Sequence, residues 1–200
     1  MNQSVDFFSR QFDRQIAVSD YALNPFEQRT LPHLRGEVLE LGCGLGNLTI
    51  EAARCGARVT SLDACPHAIE HLRQRARNEA LAVDARASDL AQWRAERAYD
   101  CVVAIGLLMF FDCPTGYRLL EELKRATRPG GVLAVNVLVE GTTFTRMFDP
   151  AGHCLFAPDA LRARLAGWQT LSDETEDFAA PDDQRKRFLT LICRRAATLN

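Results

Sequence analysis

The sequence predicts an α/β domain: a mostly parallel sheet with helices packed on both faces. Three observations predict it. Strand-like runs alternate with helix-like segments along the chain. The strand runs, Tyr99-Asp100-Cys101-Val102-Val103-Ala104-Ile105 above all, are apolar on both faces, the mark of a sheet covered on both sides. Finally, glycines 42–46, Asp63, Asp89 and Ile105-Gly106 all fall at carboxyl ends of strands, where right-handed crossovers place ligands.

The elements follow in order. Val5, Phe8, Phe12 and Ile16 recur at three- and four-residue steps and predict an amphipathic helix over 4–15. Asn24-Pro25, a cap followed by a first-turn proline, opens a second helix carrying Phe26, Leu31 and Leu34. Strand one covers 37–41, and a helix over 46–55 ends at Gly56. Strand two is 58–62. Pro66 opens a long helix with Ile69, Leu72, Ala76 and Ala80 on one face. Strand three is 84–87 and strand four 99–105. A helix over 114–127 carries Leu119, Leu120 and Leu123. Arg128-Pro129-Gly130-Gly131 predicts a turn before strand five, 132–139. Residues 140–157 form a long connection, followed by a helix at 158–166 and strands near 168–176 and 187–194. Residues 1–35 are read as N-terminal helices, with Phe7, Phe8, Phe12 and Tyr21 able to close as a lid. Residues 36–200 form one ligand-binding domain.

Glu40-Leu41-Gly42-Cys43-Gly44-Leu45-Gly46 reads as a strand running through a glycine turn into a helix. The glycines admit close backbone approach, and the helix N-terminus offers free N–H groups to a carboxylate. Asp63, ending strand two, has the acceptor oxygens that grip a ribose. The spacing is one residue tighter than the dinucleotide fingerprint GxGxxG. It also lacks the Gly-Lys-Ser/Thr ending of a P-loop, since Asn47-Leu48-Thr49 follows Gly46. S-adenosylmethionine (SAM), with a ribose and a carboxylate but no phosphates, is the ligand that remains.

This motif resembles the class I methyltransferases, whose first motif is E/D-x-G-x-G-x-G with an acid ending strand two. The resemblance implies a Rossmann-like, seven-stranded, mostly parallel sheet with an antiparallel C-terminal strand, and S-adenosylhomocysteine (SAH) as product. It assigns cofactor binding to Glu40, Gly42, Cys43, Gly44, Leu45, Gly46, Asn47, Asp63, Ala64, Cys65, Asp89, Leu90, Ile105 and Gly106. Asp63 takes the ribose, or caps the Pro66 helix. Ala64 and Cys65 line the adenine, with Cys65 equally readable as a small buried hydrophobe. Asp89 receives the adenine amino group and Leu90 N–H a ring nitrogen, or Asp89 caps a short helix. Glu40 helps hold the methionyl ammonium, or pairs with an arginine. Leu45 and Asn47 contact the methionyl end through backbone, and Ile105-Gly106 passes beneath the cofactor.

A chain of 200 residues with 47% hydrophobic and 25% charged content reads as one soluble domain. The net charge of −2 gives no extended nucleic-acid or membrane surface, and no apolar run approaches the ~20 residues that span a bilayer. The seven cysteines, Cys43, Cys55, Cys65, Cys101, Cys113, Cys154 and Cys193, contain no CxxC. Their scatter argues against a zinc site or disulfides and for a reduced cytoplasm. His67 and His71, four apart, and the basic clusters at 73–77, 184–187 and 194–195 read as solvated faces. No metal is expected.

The second half is similar to the TehB-type tellurite-resistance methyltransferases. The likeness rests on Leu108-Met109-Phe110-Phe111, Arg128-Pro129-Gly130-Gly131-Val132, Cys154-Leu155-Phe156-Ala157-Pro158, Gly167-Trp168 and Arg187–Ile192. Members acting on tellurite carry a His-Arg pair before the last strand; Phe178–Asp183 holds no histidine, while Arg187 matches a family arginine. Enzymes that methylate exocyclic amines of bases resemble Asn/Asp-Pro-Pro-Tyr where this chain has Gly106-Leu107-Leu108-Met109. The acceptor is therefore read as a small molecule, a thiol or a metalloid oxyanion such as tellurite or selenite. Its wall is expected from 141–156, with Phe144, Met147, Phe148, His153 and Phe156, unless these side chains are an ordinary satellite of the core. His153 and Arg187 are the catalytic candidates. The alternatives are a non-catalytic SAM-binding protein on the same scaffold and, more remotely, a nicotinamide oxidoreductase. Monomer and homodimer both stay open.

Overall fold

The computed structural model describes residues 3–149 and 152–197, with the backbone alone for residues 3–6. Val5's side chain lies outside the described residues. Among the described residues a seven-stranded sheet forms in the order β3-β2-β1-β4-β5-β7-β6. Its strands are β1 (Glu37–Leu41), β2 (Arg58–Asp63), β3 (Val83–Ala87), β4 (Tyr99–Ile105), β5 (Thr127–Leu138), β6 (Gln169–Ala180) and β7 (Gln184–Arg194). The first five are mutually parallel, and β7 enters antiparallel between β5 and β6. The chain reverses direction in the sheet between β1 and β4, so their carboxyl ends open the switch-point crevice. The helices are α1 (Gln3–Ala17), α2 (Pro25–Thr30), α3 (Asn47–Arg54), α4 (Pro66–Asn78), α5 (Cys113–Ala126) and α6 (Pro158–Arg164).

Period-two alternation divides the core. Val38, Val59, Cys101, Val103, Val132, Ala134 and Ile192 face one side and pack with Leu48, Ala52 and Ala53 of α3. Leu39, Leu41, Val102, Ala104, Leu133 and Val135 face the other and pack with Leu119, Leu120 and Leu123 of α5. Each of those three fully buried leucines contributes about 1.5–3 kcal/mol of transfer free energy. Asn24 caps α2 in a reciprocal capping box with Glu27, as the Asn-Pro signal predicts.

Several boundaries differ from expectation. The turn at 128–131 is a bulge inside β5: the register slips between Tyr99 and Cys101, and Gly130 N–H donates to Arg195 O at 3.0 Å. The last two strands are longer than expected and form one hairpin, closed by Asp182 and Asp183 in left-handed backbone. Helix α4 stops at Asn78, leaving Ala80 beyond it with positive φ.

The expectation that the cysteines carry no disulfide is corrected at one pair. Cys113, the first residue of α5, is bonded to Cys154, 41 residues on. The pairing comes from the fold, because the connection after β5 returns to the turn before α5 and Cys154 N–H donates to Met109 O at 3.0 Å. Closing a loop of this length stabilises by about 2–4 kcal/mol. Urea unfolding of the Cys113→Ser/Cys154→Ser variant is expected to show that loss, and equal stability would show that the bond contributes nothing. No described helix is long and apolar enough to cross a membrane.

Candidate cofactor and acceptor site

The glycine turn folds directly onto the end of β2. Gly42 N–H and Cys43 N–H both donate to Leu62 O, at 2.7 and 3.2 Å. Asp63 closes the junction: one carboxylate oxygen accepts from Gly44 N–H at 2.8 Å and the other from Cys65 N–H at 2.8 Å. Burial pushes the Asp63 carboxyl up, while its bonds from the Cys65, Gly44 and Ala64 amides pull it back down. The turn and the acid are thus one hydrogen-bonded unit.

Gly42, Gly44 and Gly46 all hold left-handed backbone, with φ of 73°, 52° and 70°. The space a β-carbon would need is filled by Leu107 at Gly42, by the Phe12 ring at Gly44 (3.0 Å) and by Leu72 at Gly46. Two of the three glycines therefore serve packing within the body of the domain. The third lies under α1.

Glu40 sits buried beneath the turn. Thr49 Oγ1 donates to it, and Thr49 is joined to Ser61 by a hydroxyl–hydroxyl bond of 2.7 Å. Burial pushes the Glu40 carboxyl up to about 8. The arginine alternative for Glu40 is not realised; its recorded partner is Thr49. Cys43 is buried, and desolvation holds its thiol well above the ordinary range.

Other expected contacts separate. Asp89 accepts from Ala91 N–H at 3.0 Å and caps a short 3-10 turn, while Leu90 is buried in the core. Ala64 is exposed above the junction. Cys65 is buried among Leu45, Ala68, Phe12, Ile16 and Tyr21. Ile105 and Gly106 are half-buried, and a β-carbon on Gly106 would meet Met109 Cε at 3.9 Å, an ordinary contact.

Arg75 is a participant that the solvated-face reading misses. It donates to Leu45 O at 3.0 Å and to Asn47 Oδ1 at 2.8 Å, under the ring of Tyr21 at 4.0 Å. Desolvation lowers its pKa. Nor is His71 merely solvated: its Nε2 and Tyr21 Oη share a 2.9 Å hydrogen bond. His67 faces Asp13 at 3.3 Å. Together with Phe12 on Gly44, these contacts seat α1 across the glycine turn. A cation four residues after a histidine, on the face toward the loop, was the available signal.

The segment 141–156 does not make one wall. Met147, Phe148 and Phe156 are core residues, Phe156 lying against Tyr117 at 5.0 Å. Phe144 lies under Lys186 Nζ at 4.8 Å. His153 stacks on Phe148, with centroids 4.5 Å apart and planes 7° apart; Phe148 meets Phe110 at 5.3 Å, and Phe110 meets Phe8 at 5.0 Å. An aromatic ladder thus runs from the connection to α1, past the turn that follows Gly106. Arg187 stays outside it. Its guanidinium is held two-pronged by Asp177, at 2.8 and 2.7 Å, across the hairpin.

A glycine turn under an N-terminal helix, an acid on the neighbouring strand and the switch point between β1 and β4 are the arrangement at which α/β folds bind nucleosides. The residues fit SAM: Asp63 has acceptor oxygens that would suit a ribose, the start of α3 N–H groups that would suit a carboxylate, and Glu40 a carboxyl that would suit an ammonium. A methyltransferase domain model matches residues 38–131. A ubiquinone biosynthesis O-methyltransferase of Xanthomonas oryzae pv. oryzae is 27% identical over 164 residues, covering 74% of this chain and 68% of that protein. One from Methylocella silvestris is 33% identical over 129 residues, covering 64% and 47%. Among solved structures, TehB from Haemophilus influenzae superposes with a TM-score of 0.74 at 19% identity, over 96% of this chain and 67% of that one. The N-methyltransferase NodS from Bradyrhizobium japonicum, in complex with SAH, gives 0.70 at 20%, over 97% and 99%. The domain match and the named relatives support a class I SAM-dependent methyltransferase, and the superpositions show the same fold.

Proposed function

We propose that this methyltransferase acts on a hydroxyl of a small aromatic acceptor seated over the carboxyl ends of β4 and β5. The observation that carries this reading is the aromatic ladder at the turn that follows Gly106, which ends in the imidazole of His153. The O-methyltransferase names of the matched relatives support it. Bound SAM supplies a methyl group already activated on a sulfonium.

The chain's own residues do the rest. Asp63 holds the ribose hydroxyls, the Gly42–Gly46 turn and the start of α3 hold the methionyl end, and the exposed Ala64 and Asp89 border the adenine. Glu40 answers the ammonium. Residues 1–35 act as the lid over 36–200, because Phe12 and Tyr21 already lie on the turn and on Arg75. Holding acceptor, methyl and sulfur collinear at roughly 3–3.5 Å is worth up to about 7–11 kcal/mol. A hydroxyl also has to lose its proton, and His153 is the base this reading assigns.

A second reading keeps a thiol, tellurite or selenite as acceptor. Such an acceptor needs no general base, but Asp177 already neutralises Arg187, the arginine that matches the tellurite-acting family. The test is His153→Ala with mass-spectrometric product analysis on phenols, thiols, selenite and tellurite. The expected result is a fall in kcat of about 10²–10⁴ on phenols with SAH affinity intact. Undiminished turnover of a phenol removes His153 as base, and turnover confined to thiols or chalcogen anions replaces the hydroxyl.

A further inference from the structure

From Val132 onward β5 is apolar with one polar exception. Between Val132 and Val139 it reads Val-Leu-Ala-Val-Asn-Val-Leu-Val, and Asn136 is 1% exposed. Its Nδ2 donates to Thr190 Oγ1 at 3.0 Å, while its Oδ1 has no partner among the described residues. A buried acceptor left unpaired destabilises the fold, and valine or leucine at this position would remove the penalty. An amide kept at such a position calls for something that completes it.

Its place in the sheet says what. Asn136 pairs with Ile105 of β4 on one side and Thr190 of β7 on the other. Gly106 N–H donates to Asn136 O at 2.9 Å. The amide therefore stands level with the last residue of β4, one residue short of Gly106. By alternation it shares the face of Val132 and Ala134, as does Glu40 two strands away.

We propose that Asn136 is a specificity-determining residue of the acceptor site. Its Oδ1 accepts a hydrogen bond from a donor on the acceptor other than the atom being methylated, and Thr190 fixes the amide's orientation. This rests on the placement of the acceptor over β4 and β5 and not on which atom is methylated. The chemistry fits a small acceptor with two neighbouring polar groups, one a nucleophile and the other a donor, such as a vicinal aromatic diol.

The test compares catechol with phenol, which lacks the second donor. The wild type is expected to prefer catechol in kcat/KM by about 100-fold, because a site built to bond a hydroxyl rejects its absence. In Asn136→Leu/Thr190→Val, which strands no hydroxyl, and in Asn136→Ala, which adds no bulk, that ratio is expected to fall to about 3-fold or less. The change should come through KM for catechol, with SAH affinity within about twofold and no loss in Tm for the apolar pair. If the wild type methylates thiols instead, the hydroxyl reading of function falls. The same comparison then runs on 2-mercaptoethanol against ethanethiol and judges Asn136 separately. A ratio unchanged in the variants, or a lowered Tm with the ratio intact, assigns the amide a structural role and overturns the proposal.

Discussion

Replacing Asp63 with alanine is expected to weaken SAH binding by about 10- to 150-fold, a loss of about 1.5–3 kcal/mol. Two effects combine. An ionised carboxylate only accepts hydrogen bonds, so its removal leaves the ribose hydroxyls without their strongest acceptor. The same two oxygens hold Gly44 N–H and Cys65 N–H, each at 2.8 Å, so the turn also loses its tie to β2. Asp63→Asn keeps one acceptor oxygen and should fall between the wild type and the alanine variant. Calorimetric titration with SAH decides the matter, and a dissociation constant unchanged by either substitution would take the ribose away from Asp63.

The strands and the turn were legible in the sequence because short-range rules govern them. Alternation alone assigns Val38 and Leu39 to opposite faces, and topology forces Asp63 and the glycines onto one edge. What escaped depends on contacts between distant segments. Cys113 and Cys154 meet because a connection folds back on α5, which no local spacing encodes. Phe12 reaches Gly44 only once α1 has docked. Arg75 and His71 look like members of a charged helix face until Tyr21 arrives to cover them. The hairpin outran its expected length for a related reason. β6 is an edge strand rich in acids, and cross-element pairs such as Arg162 with Asp173 and Arg29 with Glu174 hold it in place of apolar alternation. Asn136 was hidden by its surroundings, a single amide inside a run of apolar residues.

Raising the pH from about 5 to 9 is expected to destabilise the cofactor-free chain, with Glu40 as the main cause. Burial pushes this carboxyl from 4.5 up to about 8, Thr49 pulling the other way and Glu27 and Asp63 adding repulsion. Between those two values the folded chain keeps a proton that the unfolded chain has released. Stability is therefore full below the ordinary carboxyl range and declines as pH rises through about 8. At 1.36 kcal/mol per pH unit the full change is about 3–5 kcal/mol. Glutamine preserves the shape and cannot ionise, so Glu40→Gln should flatten the profile and exceed the wild type in stability at pH 9. Urea unfolding at pH 5, 7 and 9 measures both, and parallel profiles for the two proteins would clear Glu40. The same carboxyl couples protonation to binding. A methionyl ammonium near Glu40 favours the ionised form, so cofactor binding near neutral pH should release a proton. Titrations in two buffers of different ionisation enthalpy would count that proton, and in Glu40→Gln it should vanish. Release that persists in the variant would place the proton on another group.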